Sequence, residues 1–390
     1  MSQNRVGFAS IDEAVAELQA GQLIVVVDDE DRENEGDLMV AAEFCTPDSI
    51  NFMARFGRGL ICLTLTEERA DFLRLAPMVQ ENSSRFGTAF TETIEAREGV
   101  TTGISAADRA HTIQVAIQPG STPNDLARPG HVFPLRARKG GVLVRAGQTE
   151  ASVDLCRIAG LIPAGVICEI MNEDGTMARV PDLLAFCQTH GLKMVTTAEL
   201  IRYRMQNERY THRASEGVLP TAHGEFRAVQ YESEVEGGQS HFALVMGDLK
   251  AASAAREAVM VRMQTHCLSG SVFGSTLCDC RTTIDASLRM IAEAGRGALI
   301  YLHHTQRGFG LDRTSEPKRM IFHRTGGREK GGDPEQRILR EVGLGGQILS
   351  DLGICRIRLL TNHTTHVPAL QGFGIEIVER VAVVNVPALR

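Results

Sequence analysis

Leu23-Ile-Val-Val-Val-Asp-Asp-Glu-Asp-Arg-Glu-Asn-Glu-Gly-Asp37 sets five apolar, mostly β-branched residues directly against a run of seven carboxylates. A short apolar run that stops so abruptly reads as a buried strand feeding a loop. Upstream, Ser10 with Glu13 forms a capping-box pattern, and Ile11, Val15 and Leu18 recur at helical spacing until Gly21 closes the segment. Downstream, strand-like runs return at 59–66, 88–94, 141–144 and 165–170, with helical stretches at 47–56, 150–159 and 181–189. That alternation predicts a mixed α/β (α+β) layer fold. A last helix starts at Val195 and runs out in a polar stretch with Gly217, Pro220 and Gly224, which places a domain boundary near 205. Beyond Gly224, strands at 226–231, 241–246, 258–263, 297–301 and 356–360 and a helix over 283–294 predict a second unit of the same class. The expectation is two mixed α/β domains in tandem, 1–205 and 206–390, without an internal repeat.

The length agrees, since 390 residues at roughly 150 per domain suit two compact units. With 43% apolar and 23% charged residues the composition is that of a folded globular chain. The apolar run 23–27 is far short of the ~20 residues of a membrane helix, and the polar Met1-Ser-Gln-Asn start does not read as a signal peptide, so no membrane or secretory role is expected. Nine scattered cysteines lack the density of a disulfide scaffold and point to a reducing cytoplasm. Residues 1–205 carry 19 Lys/Arg against 28 Asp/Glu, a net −9, and residues 206–390 carry 22 against 20, a net +2. Neither half suits a nucleic acid partner, whereas an acidic pocket suits a divalent cation. The glycine-rich stretch 326–334 fits neither a P-loop nor a dinucleotide fingerprint.

The loop Asp28–Asp37 has two readings, a solvated charge run or a binding loop held by a rigid scaffold in which Mg²⁺ relieves the crowding of like charges. Three other stretches, Arg128-Pro-Gly-His131, Arg145-Ala-Gly-Gln-Thr-Glu150 and Gly99-Val-Thr-Thr-Gly103, put polar groups beside glycines, where backbone can approach a ligand. Glu169 stands among Ile167, Cys168 and Ile170 in a run that should be a buried strand, and a carboxylate there needs a partner or a task. With Met78-Val, Asn82 and Cys168-Glu-Ile170, these stretches make residues 8–205 resemble 3,4-dihydroxy-2-butanone 4-phosphate synthase of riboflavin biosynthesis.

The resemblance implies conversion of D-ribulose 5-phosphate to 3,4-dihydroxy-2-butanone 4-phosphate and formate with Mg²⁺ or Mn²⁺ and no redox cofactor. It implies that His131 and Glu169 are acid/base groups and that Glu33 holds the metal. Arg32 and Asp37 would orient substrate, and Thr102, Arg145, Ala146, Gly147 and Thr149 would bind it alongside Glu33 and Glu169. Cys62 is by itself a core residue, although the family places a substrate-proximal cysteine there. One departure stands out, because the family's second metal-linked residue, a histidine, is Gln148 here. An amide carbonyl is still a hard oxygen donor that Mg²⁺ accepts.

Cys267, Cys278 and Cys280 form C-x10-C-x-C, three thiolates with an open fourth position, which is a catalytic-zinc pattern. With Glu293-Ala-Gly-Arg-Gly297, Arg307-Gly-Phe-Gly-Leu311, Gly343-Leu-Gly-Gly-Gln-Ile-Leu349 and Arg358-Leu-Leu-Thr-Asn362, residues 224–382 resemble GTP cyclohydrolase II. Several of that family's active positions have changed. The segment before the first cysteine keeps only Arg262 in Arg262-Met-Gln-Thr-His266, Thr305 replaces the base-reading glutamate, Ile338 the general base and His366 the phosphate-binding lysine, while Arg340 is retained. Lost polar partners cost ~1–3 kcal/mol each, which implies no useful GTP hydrolysis. Zn²⁺ would persist as a structural relic. The leading expectation is a lyase acting as a homodimer, its second domain serving dimerisation or regulation. The alternatives are a bifunctional enzyme that also releases formate and pyrophosphate from GTP, and a metal-dependent regulator.

Overall fold

The computed structural model describes residues 7–28, 32–84, 86–233, 239–303, 309–312, 319–323, 334–362, 370 and 373–383. The chain divides into two compact units, Met1–Tyr203 and Arg204–Arg390.

The first unit is built on a mixed seven-stranded sheet of β1 (Ile24–Val27), β2 (Gly36–Ala41), β3 (Cys62–Leu65), β4 (Ile94–Ala96), β5 (Leu126–Arg136), β6 (Ala164–Glu169) and β7 (Lys193–Thr196), in the order β4-β5-β3-β6-β2-β1-β7. The β1/β7 and β3/β5 pairs run parallel, and the others are antiparallel. Alternate residues point to opposite faces of a strand. Val25, Val27, Leu38, Val40, Leu63, Leu65, Val166 and Cys168 therefore share one face, and they pack with Ile50, Met53, Ile113 and Ile117 into a buried core. Each such side chain contributes roughly 1.5–3 kcal/mol on burial. The opposite face meets the helix Gln148–Ile158, where Thr64 Oγ1 lies 2.7 Å from Ser152 Oγ. The opening helix Ile11–Gln19 carries the capping box read from Ser10 and Glu13.

Three local expectations are corrected. Residues 141–144 form a 3-10 turn rather than a strand, because Gly140 and Gly141 sit at φ 93° and 63° and the Asp154 carboxylate takes the Val142 N–H. The run 88–94 contributes only Ile94 to a strand, with single bridges at Phe90 and Thr91. The last helix starts at Thr197 rather than Val195, because Val195 pairs with Val26 as part of β7.

The second unit contains β8 (Thr211–Thr221), β9 (Gly224–Ser233), β10 (Gln239–Met246), β11 (Val259–Thr265), β12 (Gly297–Leu302), β13 (Phe309–Asp312), β14 (Arg319–Phe322), β15 (Arg356–Leu360) and β16 (Glu376–Val381). Seven of them form a sheet in the order β16-β15-β11-β12-β10-β9-β8, and β13 pairs with β14 as a separate hairpin. Where the sequence suggested a polar connection, the structure has β8. Residues 212–220 are all exposed on this sheet-edge strand, so it has no alternating apolar face to read. Of the glycine-rich stretch 326–334 only Pro334 is described, where the helix Pro334–Asp351 begins. The glycines of that helix admit close neighbours: a Cβ on Gly345 would lie 2.1 Å from Met263 Cε, and one on Gly346 would lie 2.5 Å from the Phe373 ring. No described helix of either unit is long and apolar enough to cross a membrane.

Candidate active site and cysteine cluster

Strand register gathers several of the first unit's predicted site residues. Asp37 is opposite Glu169, while Cys62 is opposite Ile167 on one side and beside Phe133 on the other. Period-two alternation then puts Asp37, Cys62 and Glu169 on the same face, the one that carries the helix Gln148–Ile158, while His131 lies two residues before Phe133 at a register break in β5. Glu169 Oε2 accepts the Leu60 N–H at 2.7 Å. Gly59 permits this, since a Cβ there would fall 2.5 Å from the same oxygen. Asp37 is buried, and burial first, then the Glu169, Asp28 and Glu33 charges, raise its carboxyl well above the usual range. Burial likewise pushes the Cys62 thiol up, with Glu169 and Asp37 adding to the effect, so Cys62 stays protonated. His131 Nδ1 pairs with Glu95 Oε2 at 2.9 Å, and its side chain remains 44% exposed.

Arg32 links the acidic loop to the helix. Its Nη1 donates to Asp28 Oδ2 at 2.5 Å, Glu33 Oε2 at 2.7 Å and Gln148 Oε1 at 2.9 Å. Burial opposes the charge on Arg32, but Glu33 and Asp28 outweigh it and raise the guanidinium pKa. Asp28 also organises the loop backbone, taking the Glu35 N–H at 2.8 Å. Gln148 is buried, and its Nε2 reaches Glu35 O at 3.4 Å. Three oxygens converging on one positive nitrogen are two carboxylates and an amide carbonyl, the hard donor set that Mg²⁺ prefers. The residues present thus fit a divalent cation.

A second cationic feature lies at the N-terminus of the helix Gln148–Ile158, whose N-cap is Gly147. A Cβ on Gly147 would lie 2.6 Å from Arg145 Nη1 and 2.8 Å from Arg32 Nη2, so two guanidinium groups converge there. Arg145 is held by Glu150 Oε2 at 2.6 Å. Ala146 and Thr149 flank this point and are buried. Thr102 stands exposed on the loop between Gly99 and Gly103, which Asp108 anchors by accepting from Thr101 Oγ1 at 2.7 Å and Gly103 N at 3.0 Å. Two groups went unread in the sequence, Glu95 and the anchor Asp108. Glu95 sits between buried Ile94 and Ala96, the same sign of an occupied carboxylate that marked Glu169.

In the second unit, Cys267 Sγ lies 3.8 Å from Cys278 Sγ. His323 Nδ1 is 3.4 Å from Cys267 Sγ and 3.5 Å from Cys280 Sγ. All four donor atoms fall within 4.8 Å of one another. His323, which the sequence reading did not include, thus stands beside the three cysteines. Burial opposes ionisation of Cys267, but hydrogen bonds from Ser269, the Gly270 N–H and His323 bring it down to about 7. Burial raises Cys278 and Cys280. Arg262 turns to Gln264 Oε1 at 2.8 Å and Leu360 O at 3.0 Å. Thr305 and His366 lie outside the described residues, as do the side chains of Ile338 and Arg340.

Carboxylates on one sheet face, oxygens converging on Arg32 and paired guanidinium groups at a helix start form a polar site that suits an anionic small molecule. Residues 12–203 match the family of 3,4-dihydroxy-2-butanone 4-phosphate synthase, and residues 212–382 match GTP cyclohydrolase II. The chain is 50% identical over 382 residues to riboflavin biosynthesis protein RibBA of Aquifex aeolicus, covering 96% of this chain and 92% of the relative. It is 48% identical over 382 residues to RibBA of Bacillus subtilis, covering 96% and 93%. Among solved structures, RibBX of A. baumannii, a two-domain 3,4-dihydroxy-2-butanone 4-phosphate synthase, matches with TM-score 0.78 and 38% identity over 95% of this chain and 99% of that one. A 3,4-dihydroxy-2-butanone 4-phosphate synthase in complex with two magnesium ions matches with TM-score 0.50 and 42% identity over 52% of this chain and 99% of that one.

The chain belongs to the riboflavin biosynthesis family in which a 3,4-dihydroxy-2-butanone 4-phosphate synthase domain precedes a GTP cyclohydrolase II domain. It converts D-ribulose 5-phosphate to 3,4-dihydroxy-2-butanone 4-phosphate and formate.

Proposed function

We propose that the synthase reaction runs on the face shared by Asp37, Cys62 and Glu169, with His131 taking part, and that the second unit does not hydrolyse GTP. The strand register that brings Asp37, Cys62 and Glu169 together, with the guanidinium pair at Gly147, carries the reading. The substrate phosphate binds at the start of the helix Gln148–Ile158, where Arg145, Arg32 and backbone N–H groups around Gly147 and Thr149 supply positive charge. Thr102 reaches the substrate from its loop, and Ala146 keeps the approach narrow. Asp37 orients hydroxyl groups. His131, fixed through Nδ1 by Glu95, moves the proton next to the carbonyl at its other ring nitrogen, and Glu169 serves the partner proton. Cys62, held as a thiol, shapes the wall between them.

Glu33 and Gln148 hold Mg²⁺ or Mn²⁺, with Arg32 Nη1 giving up its place among their oxygens. Bound there, the cation supplies Lewis-acid stabilisation of charge on the sugar oxygens. Cys267, Cys278 and Cys280 hold Zn²⁺ in the second unit, where a structural role replaces the hydrolytic one. Replacement of the base-reading, proton-accepting and phosphate-binding residues by Thr305, Ile338 and His366 supports that loss. All nine cysteines are free, in keeping with a cytoplasmic setting, and the assembly we propose is a homodimer.

Purified protein assayed with D-ribulose 5-phosphate and, separately, with GTP tests both halves. Divalent-dependent formate release is expected from the first only. Zinc-dependent release of formate and pyrophosphate from GTP at an enzymatic rate would establish the bifunctional alternative.

A further inference from the structure

We infer that His323 is a fourth zinc ligand, so that the cysteine cluster is a closed Cys₃His centre which clamps the β13–β14 hairpin and leaves no coordination position for water. The inference rests on the reading that the three cysteines bind zinc. Its own support is geometric. Zinc bonds of ~2.3 Å to sulfur and ~2.0–2.1 Å to nitrogen, arranged as a tetrahedron, give edges of about 3.8 Å between sulfurs and about 3.5 Å between sulfur and nitrogen. The Cys267–Cys278 separation is 3.8 Å, and His323 Nδ1 lies 3.4 Å from Cys267 Sγ and 3.5 Å from Cys280 Sγ. Three of the six edges have the lengths of a zinc tetrahedron, and all four donors lie within 4.8 Å of one another.

The surroundings fit a thiolate centre of that size. Gly270 donates its N–H to Cys267 Sγ at 3.3 Å, and a Cβ on Gly270 would fall 2.2 Å from Cys278 Sγ, so the loop closes on the sulfurs without room to spare. The donors come from separate parts of the unit. Cys267 follows β11, Cys280 begins the helix Cys280–Glu293, and His323 directly follows β14. One ion would therefore tie the two-stranded hairpin to the main sheet and helix of its unit.

A hydrolytic zinc keeps one position for water, whereas a structural zinc is fully occupied by protein donors. An imidazole nitrogen in that position removes the nucleophile itself, independently of the altered purine and phosphate contacts. The change is thus a conversion of the centre and not simply a loss of substrate binding.

The test uses the full-length zinc-loaded protein and its cobalt-substituted form. X-ray absorption should report three sulfurs and one nitrogen at the zinc, and cobalt should give the intense d–d bands of a tetrahedral site. In His323→Ala, one oxygen should replace the nitrogen, and zinc loss to a chromogenic chelator should accelerate by about a hundredfold, the upper end of what altered support of a ligand costs. His323→Cys should restore slow release with four sulfurs, which separates ligation from a general effect on folding. Circular dichroism and limited proteolysis of each variant check that the second unit stays folded, and formate release from D-ribulose 5-phosphate checks the first. A wild-type centre with three sulfurs and an oxygen, unchanged in His323→Ala, would overturn the inference while leaving the cysteine reading intact. Wild-type protein that takes up no zinc would instead overturn that underlying reading, and the inference with it.

Discussion

Glu95 was invisible as a site residue in the sequence, so replacing it by glutamine is a demanding test of the proposed acid/base arrangement. Its carboxylate holds His131 Nδ1 at 2.9 Å, and the glutamate side chain is only 15% exposed against 44% for the histidine. A hydrogen bond to a charged group contributes ~1.5–3 kcal/mol, and the partial exposure of His131 favours the lower end. An energy of ~1.4 kcal/mol is a factor of ten in rate. The amide can also present an N–H to Nδ1, which favours the tautomer opposite to the one a base at Nε2 needs. Glu95→Gln should therefore lower kcat at least about tenfold. KM should move by less than about threefold, because the proposed phosphate contacts at Gly147 are untouched. Formate release from D-ribulose 5-phosphate, followed with a coupled formate dehydrogenase across a range of substrate concentrations, gives both constants. A kcat within twofold of wild type, or a loss confined to KM, would refute the role of Glu95 in orienting His131.

Glu33→Ala should abolish formate release while leaving the circular dichroism melt near wild type, because Glu33 contributes a partly exposed loop carboxylate to the cradle rather than to the core. Gln148→His should remain active and lower the Mg²⁺ or Mn²⁺ concentration needed for half-maximal rate. Complete inactivity would show that the contacts of Gln148 to Arg32 and Glu35 matter more than cation binding. Hydrogen bonds from Thr101, Gly103 and Ser105 hold the Asp108 carboxyl below the usual range. Its stabilisation is thus present above the ordinary carboxylate pKa of about 3.9 and is lost as pH falls through the lowered value. Asp108→Asn should accordingly flatten the acid limb of the melting temperature, and parallel melts from about pH 5 down to about pH 2 would show it.

What could be read from the sequence was what local physics decides. The Ser10–Glu13 capping box fixed the first helix, and the apolar runs now seen as β1, β12 and β6 up to Cys168 were visible because burial on both faces leaves no polar interruption. β8 has no buried face to betray it, β5 is disguised by Arg-Pro-Gly-His, and Gly343, Gly345 and Gly346 weaken the helical pattern of Pro334–Asp351 until the side chains they accommodate are known. The site divides in the same way. Glu33, Asp37, His131 and Glu169 stand in recognisable short motifs, whereas Glu95 acquires its meaning from a partner 36 residues away. His323 stands 43 residues beyond Cys280, after a four-residue strand, and nothing in its local sequence marks it as a ligand.

Gly59 and Gly103 contribute no functional group, yet each presses bare backbone against a proposed acid/base carboxylate or its partner. A Cβ on Gly59 would strike Glu169 Oε2 at 2.5 Å, and one on Gly103, where φ is +88°, would come within 1.6 Å of Glu95 Oε1. Even alanine at either position would displace the acid it touches. A complete map of single substitutions would consequently show deep intolerance at two residues with no chemistry of their own, and drift in this lineage would be constrained there by geometry as tightly as at the acids themselves.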